Sequence, residues 1–338
     1  MPPEAPQFFV VEDSEAGLRL DRVVTKRYPN LSRTRVQELI ESALILIDGK
    51  AAKGAQKLRA GQSIEVQAPE RPPILAEAEA IPLTVLFEDD DLLAIDKPAG
   101  MVVHAGAGVA RGTLVNALLG RGQSLSQGGD ALRPGIVHRL DKETSGVILV
   151  AKNDFAHAKL GEAFRARAIK KTYIALVHGL LAGDHGRIDL PIARDPVKRI
   201  RMTTQRKTWH GEQLSNPREA RTDWRTIIRI DATTLVEVQL HTGRTHQIRV
   251  HFSALKHPVV GDTLYGAPTQ LRIGQESLPP LDRNFLHAAR LGFAQPRTGQ
   301  WTEVRAPLPA SLRAFIGAAA GAAKLDPGRI DAALSPYL

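Results

Sequence analysis

A short polar segment just before an apolar run holds the residues with the clearest potential for chemistry. Residues 135–146 place Asp141 between Arg139 and Lys142, and the apolar residues 147–151 follow as a predicted buried strand. A carboxylate at a strand end can be held rigidly, and nearby cations keep it ionised, as a nucleophile or base must be. The same residues also fit a turn-capping aspartate with a surface ion pair, and spacing alone favours that simpler interpretation.

Two further segments carry polar side chains beside predicted apolar elements. In residues 240–252, Thr245 is predicted to cap a helix whose inward residues are Ile248, Phe252 and Leu255. Arg249 lies next to this apolar stripe, where an arginine favours a carboxylate partner; the alternative is a surface or phosphate-binding arginine. Tyr173 begins a β-rich run, and a tyrosine on a strand is usually a packing residue.

Several familiar catalytic and binding motifs are missing from the sequence. The chain has no cysteine, which excludes disulfides, thiolate nucleophiles and zinc sites that use Cys. Its eleven histidines include no HExxH pattern, and neither GxSxG nor GxxxxGK[ST] occurs. The glycine-rich residues 106–112 are one residue too long for a dinucleotide fingerprint. We therefore expect no metal and no cofactor.

Composition predicts a folded protein with a polyanionic partner. Hydrophobic residues make up 43% and charged residues 24%, and 45 Lys and Arg against 36 Asp and Glu leave a formal charge of +9. Residues 194–229 hold ten Lys or Arg and four Asp or Glu, with Trp209 and Trp224. This segment is either a basic surface loop or a phosphate-binding face. With no apolar run of membrane-spanning length and no secretory signal, we expect a cytoplasmic protein that does not associate with membranes.

The arrangement of predicted elements indicates two domains. Length alone suggests about two, at ~150 residues each. Residues 14–70 combine two short amphipathic helices with a hairpin turn at Asp48-Gly49, and the second helix is predicted to carry Val36, Leu39, Ile40 and Ala43. The proline-rich sequence that follows indicates a linker over residues 71–82. We assign residues 1–13 to a flexible N-terminus and residues 311–338 to a C-terminal extension of unknown role.

Residues 83–310 form the predicted second domain, in which strands outnumber helices. The β-rich runs are at residues 92–96, 147–151, 173–177 and 235–240. Asn153 or Asp154 is predicted to cap a helix that carries Ala156, Leu160, Ala163 and Phe164. Because strands and helices do not alternate regularly, we expect an α+β fold with a mixed, largely antiparallel central sheet flanked by helices.

Four segments resemble the motifs of the RluA-type pseudouridine synthases, in the family's order and with its spacing. They are DKPAGMVVH from Asp96, HRLDKETSG from His138, KTYIALVHG from Lys171 and TGRTHQIRVH from Thr242. Residues 14–70 also resemble the small S4-type RNA-binding domain that many members carry. Residues 103–108 most resemble the RluD-like branch, although that branch commonly has proline where Ala105 stands.

This resemblance implies an enzyme that isomerises uridine in folded RNA to pseudouridine. The N1–C1′ bond breaks, the uracil turns, and a C5–C1′ bond forms. By motif position, the resemblance implies Asp141 as the catalytic aspartate and Tyr173 as the tyrosine that stacks on the target base. It implies Arg249 as the arginine that pairs with the aspartate. Arg139 is implied to fill the gap left by the extruded base.

The resemblance also implies an RNA partner. We assign His138, Arg33 and Arg35 to RNA binding, although charge alone favours a solvated helix face for the two arginines. The RluD-like features imply 23S ribosomal RNA, free or in the assembling large subunit, and we expect no protein partner. The alternatives are a non-catalytic S4-type ribosome assembly factor and a synthase acting on another structured RNA such as tRNA. A further alternative is a glycosidase or base-excising enzyme. Glycoside hydrolysis needs a second carboxylate, and Glu143 is the only one within a few residues of Asp141.

Overall fold

A computed structural model of the chain shows two compact units, residues 1–74 and residues 75–338. The structure describes residues 6–28, 31, 33–68, 76–106, 109–122, 124–126, 133–198, 200–204 and 216–338, and for residues 33–35 and 38 it describes the backbone only. The division after residue 74 falls within the segment predicted as the linker. Each unit has its own buried apolar cluster.

The first unit is a small antiparallel sheet with two helices. Its helices are α1 (Leu20–Arg27) and α2 (Arg33–Glu41), and its strands are β1 (Gln7–Val10), β2 (Ile45–Ile47), β3 (Lys50–Ala51) and β4 (Ser63–Val66). The strand order is β1-β4-β2-β3. The predicted hairpin is confirmed, because Asp48 and Gly49 join β2 to β3 with φ of 50° and 71°. Positive φ at both positions is what the tightest hairpin turns require.

Two expectations for this unit were wrong. Residues 7–10 were assigned to a flexible N-terminus, but they pair along their whole length with residues 63–66 of β4. Strand pairing supplies partners for their backbone N–H and C=O groups. Ala43 was expected on the second helix, but the helix ends at Glu41 and Ala43 has a φ of 54°, which no right-handed helix allows.

The second unit is organised around one large sheet. Its longer strands are β5 (Thr84–Glu88), β6 (Leu92–Lys97), β7 (Ser145–Ala151), β8 (Lys170–His178), β9 (His185–Asp189), β12 (Arg221–Ile230), β13 (Thr233–Leu240), β16 (Leu286–Ala294) and β17 (Trp301–Arg305). The shorter strands pair outside this sheet and are β10 (Ala193–Arg194), β11 (Met202–Thr203), β14 (Arg272–Ile273) and β15 (Glu276–Ser277).

Within the described residues, the large sheet has nine strands. Its order is β5-β6-β7-β16-β8-β13-β12-β9, and β17 pairs with β16. Neighbouring strands run antiparallel except β7 and β16, which are parallel. The predicted α+β fold with a mixed, largely antiparallel central sheet is therefore confirmed. Its order brings β7, β8 and β13 close together although they are far apart in sequence.

Helices pack on this sheet and complete its core. They are α3 (Leu114–Gly120), α4 (Asp154–Arg165), α5 (Gln247–Ala254), α6 (Ala310–Ala322) and α7 (Pro327–Leu334), and short 3₁₀ helices are at Thr263–Tyr265 and Ser335–Tyr337. A further 3₁₀ helix, Asp13–Glu15, belongs to the first unit. Of the two predicted caps for α4, Asn153 is the cap, since its side chain accepts a hydrogen bond from the Ala156 N–H at 2.9 Å. The segment predicted as a C-terminal extension forms most of α6 and α7, and it buries Leu312 and Ile316 in the main core.

None of the helices in the described part of the chain has both the length and the apolar character needed to cross a membrane.

Candidate active site

Asp141 and Arg249 form an ion pair although they are 108 residues apart in sequence. The Arg249 Nη1 lies 3.3 Å from the Asp141 Oδ2, and the two side chains are 9% and 18% exposed. The cation beside Asp141 therefore comes from α5. Neither of the predicted neighbours supplies it, because Arg139 is exposed and Lys142 lies 3.9 Å from the Glu143 carboxylate.

A second carboxylate holds Arg249 in place. Asp262, which is 1% exposed, accepts hydrogen bonds from the Arg249 Nε at 2.6 Å and from its Nη2 at 2.9 Å. The guanidinium also lies 5.0 Å from the centre of the Tyr265 ring. Burial alone would lower the pKa of Arg249, but hydrogen bonds and charge from Asp262 and Asp141 raise it. Arg249 is therefore a fixed cation that Asp262 orients toward Asp141.

Asp262 was missed by sequence reasoning, although one signal could have found it. A buried arginine requires a carboxylate partner, and Asp262 follows the apolar residues Val259 and Val260, which are themselves buried. Asp262 could therefore have been proposed as the carboxylate partner of Arg249, because it closely follows this apolar run.

The loop that carries Asp141 is tied to the end of β6. Lys97 is fully buried, and its Nζ donates hydrogen bonds to the carbonyls of Pro98, Met101 and Lys142 at 2.8, 2.9 and 3.2 Å. The Gly100 N–H donates to the same Lys142 carbonyl at 2.9 Å. Burial lowers the pKa of Lys97 to about 7, whereas three carbonyl acceptors favour the ammonium form. These bonds fix the backbone next to Asp141.

The helix that carries Arg249 begins differently from the prediction. α5 starts at Gln247, and the residue before it is His246, whose φ of 55° is left-handed. Thr245 is therefore not the cap. The Gln247 side chain holds this turn instead: its Oε1 accepts from the Arg244 N–H at 3.0 Å and the Thr242 hydroxyl at 2.7 Å. The prediction that Leu255 faces inward on this helix is also wrong, because Leu255 is exposed.

A cavity of about 90 Å³ lies over Asp141, and Tyr173, Arg139 and Arg249 line it. Tyr173 is 9% exposed, and burial, together with the negative charge of Asp141, raises the pKa of its phenol. The phenol is therefore protonated at neutral pH and can donate a hydrogen bond. The structure thus brings together the four residues whose motif positions implied roles at the reaction centre.

His246 also borders this cavity and was not predicted. Its Nε2 lies 4.0 Å from the Asp141 Oδ1, and its Nδ1 is 2.9 Å from the Tyr265 hydroxyl. Burial lowers the pKa of His246. The described residues contain no group of three or more His, Asp or Glu side chains placed to hold a metal ion. The polar groups lining the cavity thus include a carboxylate, a phenol, an imidazole and the guanidinium groups of Arg139, Arg244 and Arg249.

The remaining predicted binding residues lie elsewhere. The His138 Nε2 accepts a hydrogen bond from the Leu149 N–H at 2.9 Å, and its ring stacks on Phe164 at 4.6 Å. Burial lowers the pKa of His138 to about 3, so its neutral ring anchors this loop to β7. These contacts give His138 a structural role, and its side chain also lines a second cavity beside the one over Asp141. Arg33 and Arg35 begin α2, but their side chains lie outside the described residues.

The structure describes residues 194–198, 200–204 and 216–229 of the basic segment. Trp209 lies outside the described residues, and Trp224 is 8% exposed in the main core. The Trp224 ring packs so closely on β9 that a Cβ at Gly186 would lie 2.6 Å from it. Trp224 is therefore a core residue and does not form part of a phosphate-binding face.

The sequence and the fold both match known proteins. Family models for RNA pseudouridylate synthase and for the S4 domain match residues 91–254 and 18–64. An uncharacterized RNA pseudouridine synthase of Chloroflexus aurantiacus is 46% identical over 309 residues, which is 91% of this chain and 92% of that protein. Ribosomal large subunit pseudouridine synthase D of Nitrosomonas europaea is 42% identical over 91% of this chain and 86% of its own. The solved structure of human RNA pseudouridylate synthase domain containing 1 has a TM-score of 0.52 and 26% identity, and covers 72% of this chain and 96% of that one. The chain therefore belongs to the RNA pseudouridine synthase family and carries an S4 domain at its N-terminal end.

Proposed function

We propose that this enzyme converts specific uridines of 23S ribosomal RNA to pseudouridine. The Nitrosomonas europaea relative, and another of the same name in Xanthomonas campestris at 42% identity over 314 residues, are named as large-subunit enzymes. The observation that carries the proposed chemistry is the Asp141–Arg249 pair at 3.3 Å beside Tyr173. A ribosomal RNA substrate also supports the cytoplasm as the predicted location.

The reaction balances without any co-reactant. The N1–C1′ bond breaks and the C5–C1′ bond forms, while the proton lost from C5 is replaced by one gained at N1. Asp141 could attack the sugar, attack the base or remove a sugar proton, and each of these roles needs an unprotonated carboxylate. The Arg249 guanidinium lies 3.3 Å from the Asp141 carboxylate and balances its negative charge. The Tyr173 phenol offers a flat face to the uracil and a proton donor beside it.

Access to the uridine requires that it leaves the RNA stack. Flipping a nucleotide costs a few kcal/mol. Stacking on an aromatic ring such as Tyr173 returns roughly 1–3 kcal/mol of that cost. Arg139 is exposed and lines the same cavity, so its planar guanidinium can occupy the place that the uracil vacates.

We expect Arg139→Ala to slow turnover by a factor of about 5 to 150 while changing RNA affinity less than about threefold. In the wild type, the Arg139 side chain stabilises the flipped state of the RNA. Losing roughly 1–3 kcal/mol of this stabilisation corresponds to a factor of about 5 to 150 in rate. Single-turnover rates and RNA dissociation constants measure the two effects separately. Arg305→Ala is the control, since Arg305 is an exposed arginine on β17 that pairs with Glu303. Equal losses of rate and affinity would contradict the role of Arg139.

Deleting residues 1–70 should weaken RNA binding and leave the second unit folded. The two units have separate buried clusters, so the deletion removes one core completely and leaves the other intact. The truncated protein should therefore unfold cooperatively on heating. RNA affinity measured on the same sample reports the contribution of the S4 domain. Aggregation of the truncated protein would show that this boundary is wrong.

Pseudouridine mapping tests the proposed substrate. Ribosomal RNA and tRNA are compared from cells with the gene, without it, and with the gene restored as wild type or as Asp141→Asn. We expect particular uridine positions of 23S ribosomal RNA to lack pseudouridine in cells without the gene and to regain it only when the wild-type gene is restored. Loss of pseudouridine in tRNA alone would show that the substrate is tRNA and not 23S ribosomal RNA. An unchanged map with defective ribosome assembly would favour the non-catalytic assembly factor.

A further inference from the structure

A second, larger cavity adjoins the one over Asp141. It measures about 590 Å³ and is walled by α4, the start of β8 and the turn after β13. Tyr173, Leu240, Gly243, Arg139 and Arg244 line both cavities. A nucleotide seated over Asp141 would therefore have its neighbouring backbone at the entrance to this second space.

The walls of the larger cavity carry several cations and little opposing charge. Arg165, Arg167, Lys171 and Arg244 all line it, together with Arg139. In the part of the chain that the structure describes, only Arg167 among these has a carboxylate within 4.0 Å, and that partner, Glu219, is 88% exposed at 3.7 Å. An exposed pair at this distance is weak. The cavity therefore has a net positive charge.

Lys171 shows the electrostatic consequence most clearly. Its side chain is half-buried, and its Nζ donates a hydrogen bond to the Thr242 carbonyl at 3.3 Å. Burial lowers the pKa of Lys171 to about 8, and the charges of Arg167 and Arg244 add to this shift. The pKa of Arg244 is lowered for the same reasons, by burial and by neighbouring arginines. Cations gathered in this way repel one another until an anion enters.

We propose that Lys171, Arg244 and Arg167 form a subsite for a backbone phosphate of the RNA strand that carries the flipped uridine. This subsite rests on the proposed function in that the ligand is RNA. A phosphate is the group that such a strand places on each side of the reacting ribose. It would neutralise the cluster, accept hydrogen bonds from the ammonium and the two guanidinium groups, and hold the strand while the base enters the smaller cavity.

The test measures how salt affects binding of full-length protein to a fluorescent octauridylate. For a single strand, each phosphate contact contributes about −0.7 to the slope of log affinity against log salt. Lys171→Gln should reduce the magnitude of that slope by about 0.7 and weaken binding about fivefold at 0.1 M salt. Lys171→Arg should keep the slope. Lys170→Gln is the matched control, because Lys170 is exposed and its side chain lies on the opposite face of β8.

The slope separates a phosphate contact from a packing effect. A Lys171→Gln protein that binds more weakly with the wild-type slope would overturn the subsite, as would one that binds like the wild type. If Lys171→Gln fails to fold, Arg244→Gln provides the same measurement with the same expected result. The outcome is independent of the pseudouridine map: a reduced slope with an unchanged map would support the phosphate contact and contradict the proposed conversion of 23S uridines.

Discussion

We expect Asp141→Asn to abolish detectable pseudouridine formation, with a loss of about 10³-fold or more. Asparagine keeps the shape of the side chain but has no negative charge, so it can neither attack carbon nor take up a proton. The fold should persist, because Arg249 keeps both of its hydrogen bonds to Asp262. RNA affinity should therefore stay within several-fold of the wild type.

Single-turnover assays on the RNA identified by mapping check this expectation. Glu143→Gln is the matched control, since Glu143 is the carboxylate two residues away and is 35% exposed. We expect it to keep wild-type turnover within about twofold, as for most surface changes. Activity retained by Asp141→Asn would remove Asp141 from the mechanism. Loss of activity in Glu143→Gln would instead favour a mechanism with two carboxylates.

Arg249→Met should both stop turnover and destabilise the protein by about 3–5 kcal/mol. The substitution removes the cation from two carboxylates at once and leaves Asp262 charged, buried and unpaired. Arg249→Lys keeps the charge but lacks the planar fork that reaches both carboxylates. We expect the lysine variant to be more stable than the methionine variant and to turn over about 10- to 100-fold more slowly than the wild type.

Denaturant unfolding and turnover, measured on the same preparations, separate the two effects. Adding Asp262→Leu to Arg249→Met should restore most of the lost stability, because an apolar pair can replace a buried ion pair, and turnover should stay absent. Arg290→Met is the control: Arg290 is a half-buried arginine paired with Glu237, so its loss should lower stability without stopping turnover. Wild-type stability in Arg249→Met would contradict the structural importance of the Asp262 pair.

Contacts between residues close in the chain were predictable. The Asp48-Gly49 hairpin, the Asn153 cap and the buried strand at 147–151 were all confirmed. Each depends on backbone hydrogen bonds and on side-chain periodicity over a few residues, which the order of residues specifies directly. The roles proposed for Asp141, Tyr173 and Arg249 came instead from the family resemblance, since spacing alone favoured a turn-capping aspartate and a packing tyrosine.

The assembly of the site depended on the tertiary structure. Nothing in the local pattern shows that Arg249 faces Asp141 and not its own neighbours, or that Asp262 and Lys97 fix the two sides of the cleft. The order of strands around β7, β16, β8 and β13 decides which loops meet, and that order is set by packing of the whole sheet. The sequence by itself therefore determined which groups could react. Only long-range packing decided which cation pairs with which carboxylate, because burial and distance are properties of the folded chain.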